Sequence, residues 1–129
     1  MRGLVLAAAL TLSGCASQPD PRPEPPPPGL LSGRVWVSAD EGTPMGEMRI
    51  FLADGTLVLD SCWETYRLSK WERDGEDRIR WEEDGQPIGA KILALNETEL
   101  HLELELVSNI VQKRYRAAEV PFVCPDMPR

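Results

Sequence analysis

Apolar and polar residues alternate along much of the chain beyond residue 30, and this period of two is typical of half-buried β-strands. The clearest example is the run 99–106, in which leucine alternates with glutamate and histidine. On a helix, leucines two apart would scatter around the circumference, whereas on a strand they share one face. This run therefore predicts a strand with its leucines in a core and its charged residues in water.

Seven further runs fit the same plan. They are 34–39, 48–53, 56–61, 65–71, 77–82, 88–95 and 110–118. Asp54-Gly55 predicts a two-residue type I′ hairpin between two of these runs, because both residues tolerate positive φ. The last run also shows helical spacing, and we favour a strand there because β-branched and aromatic residues follow a turn signal at Ser108-Asn109.

Seven or eight antiparallel strands joined by short turns predict an all-β fold, a small antiparallel meander forming a barrel or a strongly curled sheet. Closure into a barrel would remove exposed strand edges. The domain would span 30–129, with one modest core and no roomy ligand cavity. The side chains expected to face inward are Val35, Val37, Ile50, Leu52, Leu57, Leu59, Ile79, Trp81, Ile92, Leu100, Leu102, Leu104 and Leu106.

The beginning of the chain indicates export. Arg2 precedes an uncharged apolar run over 3–12, which has the length of a signal-peptide core and is too short to span a bilayer as a helix. The run ends in Leu12-Ser13-Gly14-Cys15, which resembles the lipobox of bacterial lipoproteins: a branched apolar residue, two small residues and a cysteine. The alternative is an ordinary secretory signal with an incidental cysteine.

The resemblance to bacterial lipoproteins implies that residues 1–14 are a signal peptide, which is removed, and that Cys15 carries lipid on its thiol and its amine. Several acyl chains give stable anchoring, because each buried methylene contributes about 0.8 kcal/mol and one chain alone is marginal. Ala16, in place of an aspartate, implies by the same resemblance transport to the outer membrane, with the domain facing the periplasm.

A proline-rich stretch separates Cys15 from the strands. Prolines stand at positions 19, 21, 23 and 25–28, a composition that favours polyproline II and offers no core-forming side chain. At about 3.1 Å per residue, a linker over 15–29 would hold the domain roughly 40 Å from the membrane. The alternative is a proline-rich ligand for a partner domain.

With Cys15 assigned to lipid, Cys62 and Cys124 remain as a pair in an oxidising compartment. We expect a structural disulfide that ties the C-terminal tail to the barrel. Closing a loop of roughly 60 residues would stabilise the fold by about 4 kcal/mol on the chain-entropy model. A redox or metal-binding pair is disfavoured, because the sequence has no Cys-x-x-Cys motif and a single histidine.

Two segments carry a second resemblance. Gly33-Arg34-Val35-Trp36, followed by Phe51-Leu52-Ala53-Asp54-Gly55-Thr56-Leu57, is similar to the opening of small bacterial lipocalin-like and META-type lipoprotein domains. In those domains a Gly-x-Trp-like first strand precedes a Phe-x-x-Asp-Gly hairpin. The resemblance implies a β-barrel and no particular ligand.

Charge and motif content exclude several function classes. With 14 basic and 21 acidic residues, the net charge of −7 repels phosphate backbones and disfavours nucleic-acid binding. The sequence has no P-loop, Gly-x-Gly-x-x-Gly or Gly-x-Ser-x-Gly motif, and His101 falls on a strand face that meets water. Acidic pairs such as Asp60 with Glu64 are interpreted as a solvated rim. We therefore expect no enzyme, no metal and no cofactor.

Trp63, Tyr66 and Trp71 lie close together in the sequence, and with Trp81 they form a candidate aromatic binding patch. The alternative is structural: Tyr66 and Leu68 would fill the core while Trp63 and Trp71 seal the ends of the barrel.

These observations favour a membrane-anchored envelope lipoprotein whose barrel is a structural or binding module. Its expected partners are membrane lipid, through acylated Cys15, and either an envelope protein or a small apolar ligand. The alternative is a proteinaceous inhibitor of a basic hydrolase of the periplasm or of a host, such as lysozyme, because negative charge would attract a cationic enzyme.

Overall fold

The computed structural model describes residues 29–126, and within this range the chain is all β. The strands are β1 Trp36–Ser38, β2 Met48–Phe51, β3 Thr56–Asp60, β4 Arg67–Arg73, β5 Arg78–Glu83, β6 Gln86–Leu95, β7 Glu99–Glu105 and β8 Ile110–Ala117. Each strand pairs antiparallel with the next, and β8 pairs with β1, so the meander closes into a barrel. The predicted fold class is confirmed, and the last run is a strand.

The signal peptide over 1–14, the lipidation site Cys15 and the linker up to residue 28 lie outside the described residues. Their assignments stay predictions. Among residues 29–126 no helix is long and apolar enough to cross a membrane.

Large apolar side chains fill the interior of the barrel. The three leucines of β7 and the two of β3 face inward as predicted: Leu57, Leu59, Leu100, Leu102 and Leu104. Other strands and the segment before β1 complete the buried cluster with Leu31, Trp36, Phe51, Ile79, Trp81, Ile88, Ala90 and Tyr115. Burial stabilises the fold by about 1.5–3 kcal/mol for each large apolar side chain, so this cluster is the main source of stability.

The prediction of the inward face is wrong for the first two strands. Four residues predicted to face inward lie instead on the outer face: Val35, Val37, Ile50 and Leu52. The register pairs Trp36 with Arg49, so these two side chains share the inner face, and Phe51 follows Arg49 on that face. Because side chains alternate along a strand, the intervening residues must point outward.

Size and hydrogen bonding explain why counting apolar residues gives the wrong face. Trp36 and Phe51 are each 0% exposed and fill more of the interior than the smaller aliphatic side chains beside them. The indole N–H of Trp36 donates to the carbonyl of Leu31 at 2.9 Å, so its polar atom is satisfied inside the barrel. Ile92 and Leu106, also predicted to face inward, lie half-buried against the core.

The type I′ turn is not at the predicted position. Asp84 and Gly85 have φ values of 52° and 77° and connect the paired residues Glu83 and Gln86, as a two-residue type I′ hairpin requires. In the predicted turn, Gly55 has a positive φ of 87°, but Asp54 does not have a positive φ. The hairpin between β2 and β3 is therefore a longer loop with glycine in its last position, not a type I′ turn.

The segment before β1 closes one end of the barrel. Ser32 bridges to Phe51, and the side chain of Leu31 inserts into the core with 0% exposure. Gly29 lies near this plug and shares a cleft with Ala53 and Trp71. The described chain therefore begins at the closed end.

The C-terminal tail runs along the outside of the barrel. The N–H of Ala118 donates to the carbonyl of Val35 at 2.8 Å, and Phe122 lines an outer cleft together with Val37. Cys124 then forms a disulfide with Cys62, which follows β3, across a sequence separation of 62. The predicted disulfide is confirmed.

Candidate functional site

The end of the barrel opposite Leu31 opens into a cleft of about 330 Å³, here called the mouth cleft. The loop between β1 and β2, the segment after β3, the ends of β2, β3, β4 and β5, and one residue of β8 form its walls. Its charged lining residues are Glu47, Arg49, Asp60, Glu64, Arg67, Glu83 and Lys113. The volume lies within the range typical of small-molecule sites, although other clefts on the described surface are as large or larger. The mouth cleft is the candidate binding site because it alone among them is lined by the buried Arg49.

Arg49 is the most deeply buried charged residue of the described chain, at 5% exposure. Its Nη1 donates to the hydroxyl of Tyr115 at 2.8 Å and lies 3.3 Å from Oε1 of Glu47. Its Nη2 lies 3.3 Å from Oε2 of Glu83. These contacts compensate for the loss of hydration that makes an unpaired buried charge so unfavourable.

Two aromatic rings also face the Arg49 guanidinium. Its Cζ lies 5.7 Å from the ring centroid of Trp81 and 5.6 Å from that of Tyr115, within the range of a cation–π interaction. The indole N–H of Trp81 donates to Glu83 at 3.3 Å, so ring and carboxylate both contact the cation. The environment explains how an arginine occupies an inward position in a barrel.

Tyr115 is neutral at physiological pH. Burial raises its pKa to about 12, and the neighbouring Arg49 cation opposes this rise only in part. The phenol oxygen therefore accepts the Arg49 hydrogen bond without carrying a charge. The ionic partners of Arg49 are therefore the two carboxylates, Glu47 and Glu83.

Strands β4 and β5 separate near the mouth, where side chains replace strand pairing. Toward the mouth, the backbone register ends at the pair Trp71 and Trp81. Toward the mouth, Arg67 contacts Asp84 at 2.8 Å and Glu83 at 3.3 Å. Glu83 thus links the buried Arg49 to the more exposed Arg67, and the β4–β5 seam at the cleft is held by ionic contacts.

One side of the rim is acidic. Oδ1 of Asp60 accepts the N–H of Ser61 at 2.8 Å, and the Ser61 hydroxyl donates to Oε2 of Glu64 at 2.8 Å. Lys113 of β8 also lines the cleft, and it forms no ion pair with any carboxylate that the structure describes. The mouth cleft therefore offers an unpaired ammonium group and, on its rim, carboxylate oxygens.

The four predicted patch residues do not share one surface. Tyr66 is 59% exposed and Trp63 is partly exposed, whereas Trp81 is 4% exposed inside the barrel. Trp71 lies half-buried, with its ring centroid 5.3 Å from that of Phe51 in an edge-to-face arrangement. Of the four residues, only Trp63 and Tyr66 are exposed.

The structural alternative, in which Tyr66 and Leu68 fill the core, is wrong for both residues. Tyr66 and Leu68 lie outside the core, with Leu68 at 61% exposure. Trp71 does pack near the closed end, where its indole N–H donates to the carbonyl of Leu52 at 2.9 Å. The indole of Trp63 donates to the carbonyl of Pro125 at 3.2 Å and so contacts the disulfide-bonded tail.

His101 lies half-buried on β7, beside Ala94 and Arg114 in the register. In the part of the chain that the structure describes, no group of three or more His, Cys, Asp or Glu side chains is placed to hold a metal ion.

In comparisons with known proteins, no family model matches the chain, and no curated protein or solved structure is significantly similar to it.

Sequence patterns did not reveal the inner residues of the site, Arg49, Glu83 and Tyr115. A signal was nevertheless present. Arg49 stands between apolar neighbours in the short strand β2. Since alternate residues share a face, burying Phe51 also places Arg49 inside, whereas burying Met48 and Ile50 places Arg49 outside. Only the pairing partners of β2 decide which face is inside.

Proposed function

We propose that the protein is a lipid-anchored lipoprotein of the bacterial envelope whose barrel is a binding module, with the mouth cleft as its binding site. The observation that carries this proposal is the placement of the chain entry and the cleft at opposite ends of one closed barrel. Gly29 and the Leu31 plug lie at the closed end, while Arg49 and Lys113 line the open end.

This arrangement suits a tethered receptor. A linker from Cys15 would reach the barrel at its closed end, so the mouth cleft would point away from the membrane and toward the surrounding compartment. The disulfide between Cys62 and Cys124 supports an oxidising compartment, because such bonds are rare in the reducing cytosol. The lipobox-like segment 12–15 supports the anchor.

The anchor is tested by Cys15→Ala in a diderm bacterial host. We expect the natural chain to incorporate labelled palmitate and to fractionate with the outer membrane, and the variant to lose both properties. The double variant C62S/C124S is the matched control, because it removes the other two cysteines and should keep the label. Undiminished palmitate incorporation in Cys15→Ala would contradict the lipoprotein assignment.

The binding role is tested by photo-crosslinking in intact envelopes. A photoreactive amino acid replaces Thr65, which lines the mouth cleft, or Lys91, an exposed residue of β6 away from the cleft. We expect adducts from position 65 that position 91 does not give. Equal adducts from both positions would mean that the mouth cleft is not a selective surface.

Inhibition of a basic hydrolase is a second candidate, favoured by the four carboxylates of the mouth cleft, Glu47, Asp60, Glu64 and Glu83. A lysine or arginine of a cationic enzyme would find complementary charge there. The test is lysozyme activity with and without the detergent-solubilised full chain. Unchanged activity at micromolar concentrations of the chain would remove this candidate.

A further inference from the structure

The Arg49 guanidinium has donor capacity that its protein neighbours do not use. A guanidinium has five N–H donors, and Nε of Arg49 is buried with no hydrogen-bond partner among residues 29–126. Its contacts with Glu47 and Glu83 are both 3.3 Å, longer than the roughly 2.7–2.9 Å typical of hydrogen bonds between charged groups. Only the contact with Tyr115 is short. A buried cation in this state favours an additional acceptor.

Lys113 supplies a second donor in the same cleft. It lines the mouth cleft with Arg49 and makes no ion pair within the described range. Its position on β8 is two residues before Tyr115, so Lys113 and Tyr115 point toward the same side of the strand. Two cations with unused donors in one cleft point to a ligand that carries an oxyanion, such as a carboxylate.

The balance of charge restricts which anion fits. The cleft is lined by three cations and four carboxylates, so its formal charge is −1 (3 − 4) before any ligand enters. A dianion such as phosphate would add repulsion from these carboxylates. A ligand that carries its own positive group avoids this repulsion. Beyond their contacts with Ser61, Asp60 and Glu64 each keep one oxygen without a described hydrogen-bond donor, and such oxygens accept hydrogen bonds from an ammonium group.

The size of the cleft fits such a molecule. A volume of about 330 Å³ corresponds to about ten water molecules at roughly 30 Å³ each, which is enough for an amino acid or for the end of a short peptide. Groups of both signs surround this volume. The cations are Arg49 and Lys113, and the carboxylates are Asp60 and Glu64.

We propose that the mouth cleft binds a small zwitterion, an α-amino acid or the zwitterionic end of a short peptide. Its carboxylate contacts Lys113 and Arg49, and its ammonium group contacts Asp60 and Glu64. The inference rests on the proposed role of the mouth cleft as a binding site and is independent of the lipid anchor.

Amide chemical shifts of the full chain in a mild detergent test this inference. The probes are alanine, dialanine, and the two half-molecules acetate and methylamine. We expect saturable shifts of mouth-cleft amides with alanine or dialanine, and binding at least about tenfold weaker for each half-molecule, because each lacks one ionic contact. Tighter binding of alanine than of dialanine identifies a free amino acid as the source, and the reverse order identifies a peptide.

Lys113→Met is the decisive variant, and Lys91→Met, on an exposed part of β6, is its matched control. We expect Lys113→Met to weaken binding by about tenfold and Lys91→Met to leave it unchanged. Amide spectra without ligand show whether each variant is folded. Absence of saturable shifts up to about 10 mM alanine and dialanine would overturn the inference. Equally tight binding of acetate, or binding unaffected by Lys113→Met, would overturn it as well.

These outcomes separate the inference from the proposed function. If the chain does not bind the zwitterions but does give a selective crosslink at position 65, the mouth cleft is the binding site of another ligand. If the chain neither binds the zwitterions nor gives a selective crosslink at position 65, the mouth cleft is not a binding site. Neither result bears on palmitate at Cys15.

Discussion

Nη1 of Arg49 donates a 2.8 Å hydrogen bond to the hydroxyl of Tyr115, from β2 to β8 across the intervening strand β1. It is the shortest contact of the buried cation and joins the first part of the barrel to the last. The contact therefore links the two strands that flank β1 and holds the Arg49 cation in place beside the mouth cleft. Stability and binding should both depend on this contact.

Removal of the Tyr115 hydroxyl tests the structural part of this relationship. Tyr115→Phe should lower the free energy of unfolding by about 2 kcal/mol, because Arg49 loses its best hydrogen bond while the ring is kept. Tyr66→Phe is the matched control, because Tyr66 is mostly exposed. Urea unfolding followed by tryptophan fluorescence gives both values. Equal stability of the two variants would show that the contact contributes nothing.

Alkaline pH should destabilise the barrel through Tyr115. The folded-state pKa of Tyr115 is about 12, above the ordinary value of 10, so the folded state stabilises the neutral phenol. This stabilisation is complete below pH 10 and is lost as the pH rises from 10 toward 12, because the unfolded chain releases the proton first. The loss amounts to about 2–3 kcal/mol.

Urea unfolding at about pH 9 and about pH 12 measures this loss. Tyr115→Phe should lack it, whereas the control Tyr66→Phe should retain it. A decrease of the same size in both variants would assign the pH dependence to other groups.

The plug at the closed end is tested by truncating one leucine of a neighbouring pair. Leu31→Ala should lower the free energy of unfolding by about 2–5 kcal/mol, since Leu31 is fully buried and a cavity would remain. Leu30→Ala, at the adjacent position, which is 43% exposed, should cost less than about 0.5 kcal/mol. Similar losses for the two substitutions would mean that residues 29–33 do not close the barrel.

The sequence predicted strand positions well because alternation and turn residues are local signals. The leucines of β7 illustrate this, since every second residue is apolar and only one face can be buried. The inner faces of β1 and β2 were predicted wrongly because Val35 and Ile50 are apolar, as are Trp36 and Phe51, which lie inside. Pairing with β3 and β8, a long-range property, decides that Trp36 and Phe51 are inside.

The mouth cleft could not be predicted for a related reason. Its charged residues come from the β1–β2 loop, from strands β2, β3, β4, β5 and β8 and from the segment after β3, and their meeting depends on barrel closure. In the sequence, Arg49 and Tyr115 are 66 residues apart. The disulfide was predictable because only two cysteines remained once Cys15 was assigned to lipid.

The disulfide should contribute strongly to stability. C62S/C124S should lower the free energy of unfolding by about 4 kcal/mol, because the bond closes a separation of 62 residues. Val123→Ser, beside Cys124 in the exposed tail, changes the tail without breaking the bond and should have little effect. Urea unfolding under non-reducing conditions gives the comparison. A double variant within about 1 kcal/mol of the natural chain would show that the tail is held without the bond.

The most direct test of the account is the intact mass of the protein extracted from bacterial envelopes with detergent. We predict a chain that begins at Cys15, carries the added mass of its acyl groups and lacks two hydrogens because Cys62 and Cys124 are joined. A chain that retains residues 1–14, or one that begins at another residue and carries no acyl mass, would contradict the account.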